Sequence, residues 1–134
     1  MSALMKTAIK TSLAPSPVGP YNQAILANGW LYCSGQIALD PKSGELVGEG
    51  NIEEETHQVL KNLFAVIKEA GANKSDVIRT TIYLTDLNDF SKVNKIYSEE
   101  FSTNLSPARA CVEVSGLPKG AKVEIDCIAL INSN

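Results

Sequence analysis

Apolar residues with a helical repeat occupy two segments of the chain. Between Ile52 and Ala70 they recur at spacings of three and four residues, and Gly71 directly afterwards provides a stop signal. The segment "DLNDFSKVNKIYSEEF", residues 86–101, shows the same repeat behind Asp and Asn residues that can cap a helix. The pattern therefore predicts two helices, with apolar positions Val59, Leu60, Leu63, Phe64, Ile67 and Ala70 in the first and Phe90, Val93, Ile96, Tyr97 and Phe101 in the second.

Three runs before the first helix have the composition of β-strands. They are a short run around residues 6–10, "YNQAILAN" at 21–28 and "WLYCSGQIAL" at 30–39. Asn28 and Gly29 separate the last two runs, and this pair favours a tight hairpin turn. Alternation in the third run predicts one face with Trp30, Tyr32, Ser34 and Gln36 and an opposite face with Leu31, Cys33 and Ile37.

A fourth strand is predicted between the helices. The run "DVIRTTIYL", residues 76–84, alternates with period two, which assigns Ile78, Thr80, Ile82 and Leu84 to one face and Val77, Arg79, Thr81 and Tyr83 to the other. The predicted order is β-β-β-α-β-α-β-β. It indicates an α+β fold, a single six-stranded, mostly antiparallel sheet with both helices on one face. The other face of the sheet is then uncovered.

The last two strands are predicted to pair as an antiparallel hairpin. They flank the turn-rich segment "SGLPKG", residues 115–120. In that register one face is apolar, and the other places residues 109, 111 and 113 opposite residues 126, 124 and 122. Arg109 would then lie opposite Asp126, whereas a shift by two residues would pair it with Glu124 instead.

Two interpretations of this polar face remain open. It is either a solvated sheet face with cross-strand ion pairs or a subunit interface that contains a ligand cleft. Trp30 and Tyr32 on the same side favour the interface, because large rings and charges share that surface. Arg109 is one of two arginines, and a guanidinium can bind a carboxylate with two parallel hydrogen bonds.

Composition limits the classes of protein to which the chain can belong. The chain has 134 residues, of which 44% are hydrophobic and 20% charged, as expected for one globular domain over residues 1–134. A net charge of −3 and a pI near 5.1 argue against binding of nucleic acid through bulk charge. The apolar runs are too short to span a bilayer, and the N-terminal segment resembles neither a signal nor a transit peptide.

The cysteines and the single histidine bear on location and on metals. Cys33, Cys111 and Cys127 form no CxxC pair and are odd in number, which favours reduced thiols and a cytoplasmic location. His57 is the one histidine, which excludes multi-histidine metal sites, and its place in the first helix favours a solvated residue. We therefore expect no metal.

Several segments resemble the Rid family of enamine and imine deaminases, also called the YjgF family. They are "VGPYNQAI", "SGQIALDPKSGEL", "EEETHQVLKNL", "TTIYLTDLNDFSKVN" and "SPARACVEVSGLPKGAKVEIDCIAL", which together span nearly the whole chain. The P-A-R-x-C block followed by V-E-I is specific, and the RidA subgroup is the best match. The resemblance implies a chorismate-mutase-like fold and a homotrimer, with the sheets in a central barrel and three clefts between adjacent subunits.

The resemblance also implies an activity and a set of residues. The reaction would be hydrolysis of 2-enamino or 2-imino acids, such as 2-aminoacrylate, to 2-keto acids and ammonia, without cofactor or metal. Arg109 matches the family arginine that binds the substrate carboxylate, and Glu124 matches the acid that orients the attacking water. The matching cleft positions are Tyr21, Ser34, Gly35, Asn94 and Cys111, the last with main-chain groups more than its sulfur.

Simpler roles remain open for these residues. Glu124 alternatively serves only as an ion-pair partner, Tyr21 as a core ring, and Ser34 as a strand hydroxyl bonded to its neighbour. Ser106 stands before "PAR", where the family often has an aromatic residue, so the sequence does not determine the shape of the pocket rim. Two other functions are conceivable: a trimeric keto-acid-binding regulator without turnover, and, with less support from an acidic chain, a ribonuclease or translation inhibitor.

Overall fold

The computed structural model describes residues 5–101 and 105–131. These residues form one six-stranded sheet and two α-helices, in the predicted order along the chain. The elements are β1 (Lys6–Ile9), β2 (Ala24–Ala27), β3 (Trp30–Gln36), α1 (Ile52–Glu69), β4 (Val77–Leu84), α2 (Phe90–Glu100), β5 (Ala108–Glu113) and β6 (Val123–Leu130). The predicted α+β class is confirmed.

The local signals at the element ends have the expected geometry. The side chain of Asn51 accepts a hydrogen bond from the main-chain N–H of Glu54 at the start of α1, and Gly71 follows its end with φ of +86°. The β2–β3 hairpin turns at Asn28 and Gly29, both with positive φ, so Ala27 pairs with Trp30.

The predicted pairing of the last two strands is wrong. The strand order is β1-β2-β3-β6-β4-β5, so β4 lies between β5 and β6. β5 pairs with β4 in parallel, and every other pair is antiparallel. The reason is that β4, α2 and β5 form a crossover unit, in which the helix returns the chain to a strand parallel to the first. The charge pattern of residues 109–126 is compatible with a hairpin but does not determine the pairing.

Two β-bulges correct the predicted faces. An extra residue in β3 between Cys33 and Gln36 places Gln36 opposite Ile125, so Gln36 is buried on the helix-covered face and Ile37 moves to the other face. An irregularity in β4 between Val77 and Arg79 buries Val77 and exposes Ile78. Each inserted residue reverses the alternation that follows or precedes it, and neither bulge has a signal in the periodicity.

The core lies between one face of the sheet and the two helices. The alternate β6 residues Val123, Ile125, Cys127 and Ala129 are buried against it, as is Cys33 of β3. Exposed His57 on α1 agrees with its prediction as a solvated residue. Among the described residues, no helix is long and apolar enough to cross a membrane.

Among residues 5–101 and 105–131, no helix or second sheet covers the opposite face of the sheet. This face exposes Trp30, Tyr32 and Val112, which are 37%, 51% and 41% accessible to solvent. Val112 lies on this face because β5 pairs in parallel with β4, which places Val112 beside Tyr83.

Candidate functional site

Arg109 lies on the helix-covered side of the edge strand β5. It is beside Thr80 in the β4–β5 register, and Thr80 is fully buried under α2. One guanidinium nitrogen, Nη1, donates a 2.7 Å hydrogen bond to Oδ1 of Asn94. The guanidinium carbon lies 4.8 Å from the centre of the Tyr97 ring and 5.5 Å from that of Phe90. Residues of α2 thus hold the charged group that the sequence singled out.

The expected ion pairs of Arg109 are absent from the part of the chain that the structure describes, where it forms no salt bridge. Asp126 accepts a 2.9 Å hydrogen bond from the hydroxyl of Tyr83 instead. The pairing of Arg109 with Asp126, or with Glu124 after a shift, is wrong because β4 separates the two strands. Among the described residues, the guanidinium thus has Asn94 as a hydrogen-bond partner and no carboxylate partner.

An open cavity of about 740 Å³ lies beside Arg109. At its rim the Oγ of Ser106 donates a hydrogen bond to the main-chain oxygen of Phe101. The rim therefore has a small polar residue at the position where the family often has an aromatic one. The lining is part polar and part aromatic and consists of Asn94, Tyr97, Ser98, Phe101, Ser106, Pro107 and Arg109. This combination suits a small anionic molecule with a carbon chain.

Glu124 lies on the opposite face of the sheet. It pairs with Tyr83 in β4, one position out of phase with the buried Ile82 and Leu84. It lines a second, narrow cavity of about 60 Å³ together with Tyr21, Gly35 and Pro118. Partial burial, and secondarily the negative charge of Asp126, raise the pKa of Glu124 above that of an ordinary glutamate.

Gly35 provides the space in which the Glu124 carboxylate lies. A Cβ atom at position 35 would come within 2.4 Å of Oε2 of Glu124, far inside van der Waals contact. Gly35 lies within the β3 bulge, between Cys33 and Gln36. The resemblance implies Gly35 as a cleft position, and the atoms that a Cβ there would meet first are those of Glu124.

Tyr21 lines this second cavity, and Ser34 directly precedes the cavity residue Gly35 in β3. The Tyr21 hydroxyl accepts a 3.3 Å hydrogen bond from the N–H of Val18, and its ring is 46% exposed, so it is not a core ring. Ser34 donates from Oγ to the main-chain oxygen of Asn22 at 2.7 Å. Ser34 thus joins β3 to the segment before β2.

Cys111 shares the helix side of β5 with Arg109 and packs against the core. Burial raises the pKa of its thiol, an effect that Arg109 only partly opposes. A raised pKa keeps the sulfur protonated and weakly nucleophilic. No cluster of metal-binding side chains occurs among residues 5–101 and 105–131.

Gln23 is a residue of this region that the sequence analysis did not select. It is 3% exposed, and its side chain exchanges hydrogen bonds with both main-chain groups of Thr11. Its Nε2 also donates to the oxygens of Ala14 and Pro15, which fixes the proline-rich segment beside the Glu124 cavity. The available signal was a long amide two residues after Tyr21 and directly before the apolar strand β2.

The predicted residues thus form two groups rather than one. Arg109 and Asn94 are together on one side of the sheet, and Tyr21, Gly35 and Glu124 are together on the other. The expectation that Arg109 and Glu124 share a polar face of one chain is wrong, since strand pairing sends their side chains to opposite faces.

Known proteins match the chain over most of its length. A family model described as Endoribonuclease L-PSP matches residues 11–131. A RutC family protein of Synechocystis is 55% identical over 92% of this chain and 95% of its own. The human 2-iminobutanoate/2-iminopropanoate deaminase is 46% identical over 97% of this chain and 93% of its own.

Solved structures agree with these sequence matches. The Rid family protein YyfA of Yersinia pestis has a TM-score of 0.91 and 51% identity, and the match covers 95% of this chain and all of the other. Escherichia coli TdcF with bound serine has a TM-score of 0.88 and 35% identity, over 94% of this chain and 99% of the other. The extent of these matches shows that the chain belongs to the Rid family.

Proposed function

We propose that the protein is a deaminase that hydrolyses 2-enamino and 2-imino acids, such as 2-aminoacrylate and 2-iminopropanoate, to 2-keto acids and ammonia. The observation that carries the proposal is an arginine held by α2 without a carboxylate partner among the described residues. A carboxylate substrate supplies the missing partner. The family relationship supports the same reaction, because the human relative is named a 2-iminobutanoate/2-iminopropanoate deaminase.

The group around Arg109 and the group around Glu124 can form one site only if they belong to different subunits. Arg109 and Glu124 lie on opposite faces of one sheet, so a site that uses both takes them from different chains. The exposed face with Trp30, Tyr32 and Val112 is a suitable contact surface, because a sheet covered on one face only leaves apolar area to bury. We propose a homotrimer whose sheets form a central barrel with three clefts.

Within such a cleft Arg109 binds the substrate carboxylate, and its charge-assisted hydrogen bonds orient the imine carbon. Water adds to that carbon, and Glu124 relays a proton from the water to the nitrogen, which gives a carbinolamine. Transfer of the remaining hydroxyl proton by the same route breaks the C–N bond and releases the keto acid and ammonia. Burial raises the pKa of Glu124, which makes the carboxylate a stronger base for accepting the proton than an ordinary glutamate.

The other predicted residues have supporting roles in this proposal. Asn94 orients Arg109, Gly35 leaves room for the Glu124 carboxylate, and Tyr21 lies at the rim of the narrow cavity. Ser34 ties β3 to the segment before β2, and Cys111 contributes main-chain groups. The reaction is a hydrolysis without net oxidation, so the proposed mechanism uses no cofactor or metal. We place the protein in the cytoplasm, in keeping with its three unpaired thiols.

The test is release of ammonia and pyruvate from 2-iminopropanoate generated in situ by an amino-acid oxidase acting on alanine. The protein should accelerate both, and Arg109→Ala should weaken binding of pyruvate, while light scattering should show a trimer. A protein that binds pyruvate through Arg109 without accelerating hydrolysis is the non-catalytic regulator. A stable monomer at micromolar concentration would contradict the shared cleft.

A further inference from the structure

Carboxylate binding by Arg109 requires neighbouring residues to hold its guanidinium in one orientation. Its side chain is exposed on an edge strand, where a guanidinium on three methylene groups can adopt many rotamers. Recognition of a planar carboxylate requires the guanidinium plane to have one direction. The contacts that restrict Arg109 therefore bear on its affinity for a carboxylate.

Those contacts come from one face of α2. Phe90, Asn94 and Tyr97 are spaced by four and three residues, which places them along one side of the helix. Asn94 accepts one hydrogen bond, while the two rings lie 5.5 and 4.8 Å from the guanidinium carbon, within the range of a cation–π contact. The face of α2 thus offers one acceptor and two aromatic surfaces to one cation.

Tyr97 is the better fixed of the two rings. Its hydroxyl and Oγ1 of Thr80 form a buried 2.7 Å hydrogen bond, and Thr80 is the β4 neighbour of Arg109. Its ring packs on that of Phe101 at 4.7 Å between centres and is only 5% exposed. Thr80 therefore fixes the hydroxyl of Tyr97, and Phe101 packs against its ring. The ring also contacts Arg109 at the cavity.

We propose that Tyr97 is a positioning residue for carboxylate recognition, which acts through Arg109 by means of its ring, with Phe90 as the weaker second contact. The proposal rests on the proposed function, because it takes the ligand of Arg109 to be a carboxylate. The hydroxyl is engaged by Thr80 and serves only to anchor the ring. The ring and the hydroxyl are therefore separable by substitution.

The experiment is a double-mutant cycle on pyruvate affinity, measured by calorimetry with the intact assembly. Tyr97→Leu removes the ring and should weaken pyruvate binding by about three- to thirtyfold, the scale of a cation–π contact. Tyr97→Phe retains the ring and should restore affinity to within about threefold of the parent. In an Arg109→Ala background, Tyr97→Leu should cause no further loss, because the two residues act as one unit.

A matched control separates this role from damage to the core. Phe64 is a half-buried ring with its own cation–π contact to Lys74, and it packs edge-on against Phe101 without lining the Arg109 cavity. Phe64→Leu should lower the melting temperature as Tyr97→Leu does but leave pyruvate affinity unchanged. If Tyr97→Leu prevents assembly, Phe90→Leu gives the same cycle with a smaller expected loss.

The outcomes distinguish failure of the positioning role of Tyr97 from failure of the proposed function. If Arg109→Ala leaves pyruvate affinity unchanged, carboxylate binding by Arg109 fails, and the proposed function fails with it. If Arg109→Ala weakens binding but Tyr97→Leu and Phe90→Leu do not, only the positioning role is overturned. An equal loss from Tyr97→Leu in both backgrounds also overturns it, since Tyr97 would then act independently of Arg109.

Discussion

Substitution of Gly35 by alanine should greatly lower activity while leaving the fold intact. The added methyl group would lie 2.4, 2.8 and 2.9 Å from Oε2, Cδ and Cγ of Glu124. The carboxylate must therefore move by roughly 1 Å to reach ordinary contact, and a misplacement of that size in a reacting group costs about 10²-fold in rate. We expect imine hydrolysis to fall by about that factor.

The accompanying change in stability should be small. Crowding of this kind costs about 1–3 kcal/mol, and a Gly→Ala change returns about 0.4–1 kcal/mol by restricting the unfolded chain. That gain is available because the φ of Gly35 is outside the left-handed region, unlike that of Gly71. The free energy of unfolding, from denaturant titration, should thus fall by no more than about 2–3 kcal/mol.

A matched variant controls for the loss of glycine itself. Gly116 also has an ordinary φ, and a Cβ there would meet nothing within 4 Å, so Gly116→Ala should retain parent activity. In a Glu124→Gln background, Gly35→Ala should add little further loss of turnover, since the displaced group is already inactive. If Gly35→Ala keeps the parent rate with the assembly intact, the observed carboxylate position has no bearing on catalysis.

Three further predictions follow from the titratable groups. Because the pKa of Glu124 is raised, kcat/KM should fall on acidification through a pKa above the ordinary glutamate value of about 4.3. Glu124→Gln should lower turnover by about 10²-fold or more, while pyruvate binding survives. Burial raises the pKa of Glu55, whose Oε1 accepts from the N–H of Lys122 and whose Oε2 has no partner among the described residues. In the pH range just above the ordinary glutamate pKa the unfolded chain releases this proton before the folded one does, so the free energy of unfolding should decrease as pH rises, and Glu55→Gln should flatten that slope in denaturant titrations. Cys111→Ser should leave measurable deaminase activity, since its protonated, half-buried thiol is not a nucleophile; complete loss with an intact assembly would contradict that assignment.

Local signals in the sequence predict most of the elements. The helical repeat and Gly71 define α1 to within a residue at its end, and the Asn28–Gly29 pair defines the β2–β3 turn. These features depend on residues close together in the chain, so one sequence is enough to recognise them.

Features that depend on distant pairing are not predictable in this way. Complementary charges at residues 109 and 126 favour a hairpin, but the crossover through α2 places β4 between the two strands. The bulge before Gln36 depends on the fit of β3 against β6 and has no periodic signal. The resemblance to the Rid family indicated Arg109 and Glu124 individually, whereas their placement on opposite faces follows only from the sheet order.

The separation of Arg109 from Glu124 has a genetic consequence. If each cleft draws these residues from two neighbouring chains, subunits with Arg109→Ala and subunits with Glu124→Gln lack different halves of the same cleft. In a mixed trimer of the two inactive variants, one cleft combines an unaltered Arg109 with an unaltered Glu124. Co-expression of two defective alleles would then restore part of the activity that neither supplies alone, and each allele would also disable clefts that contain a normal chain.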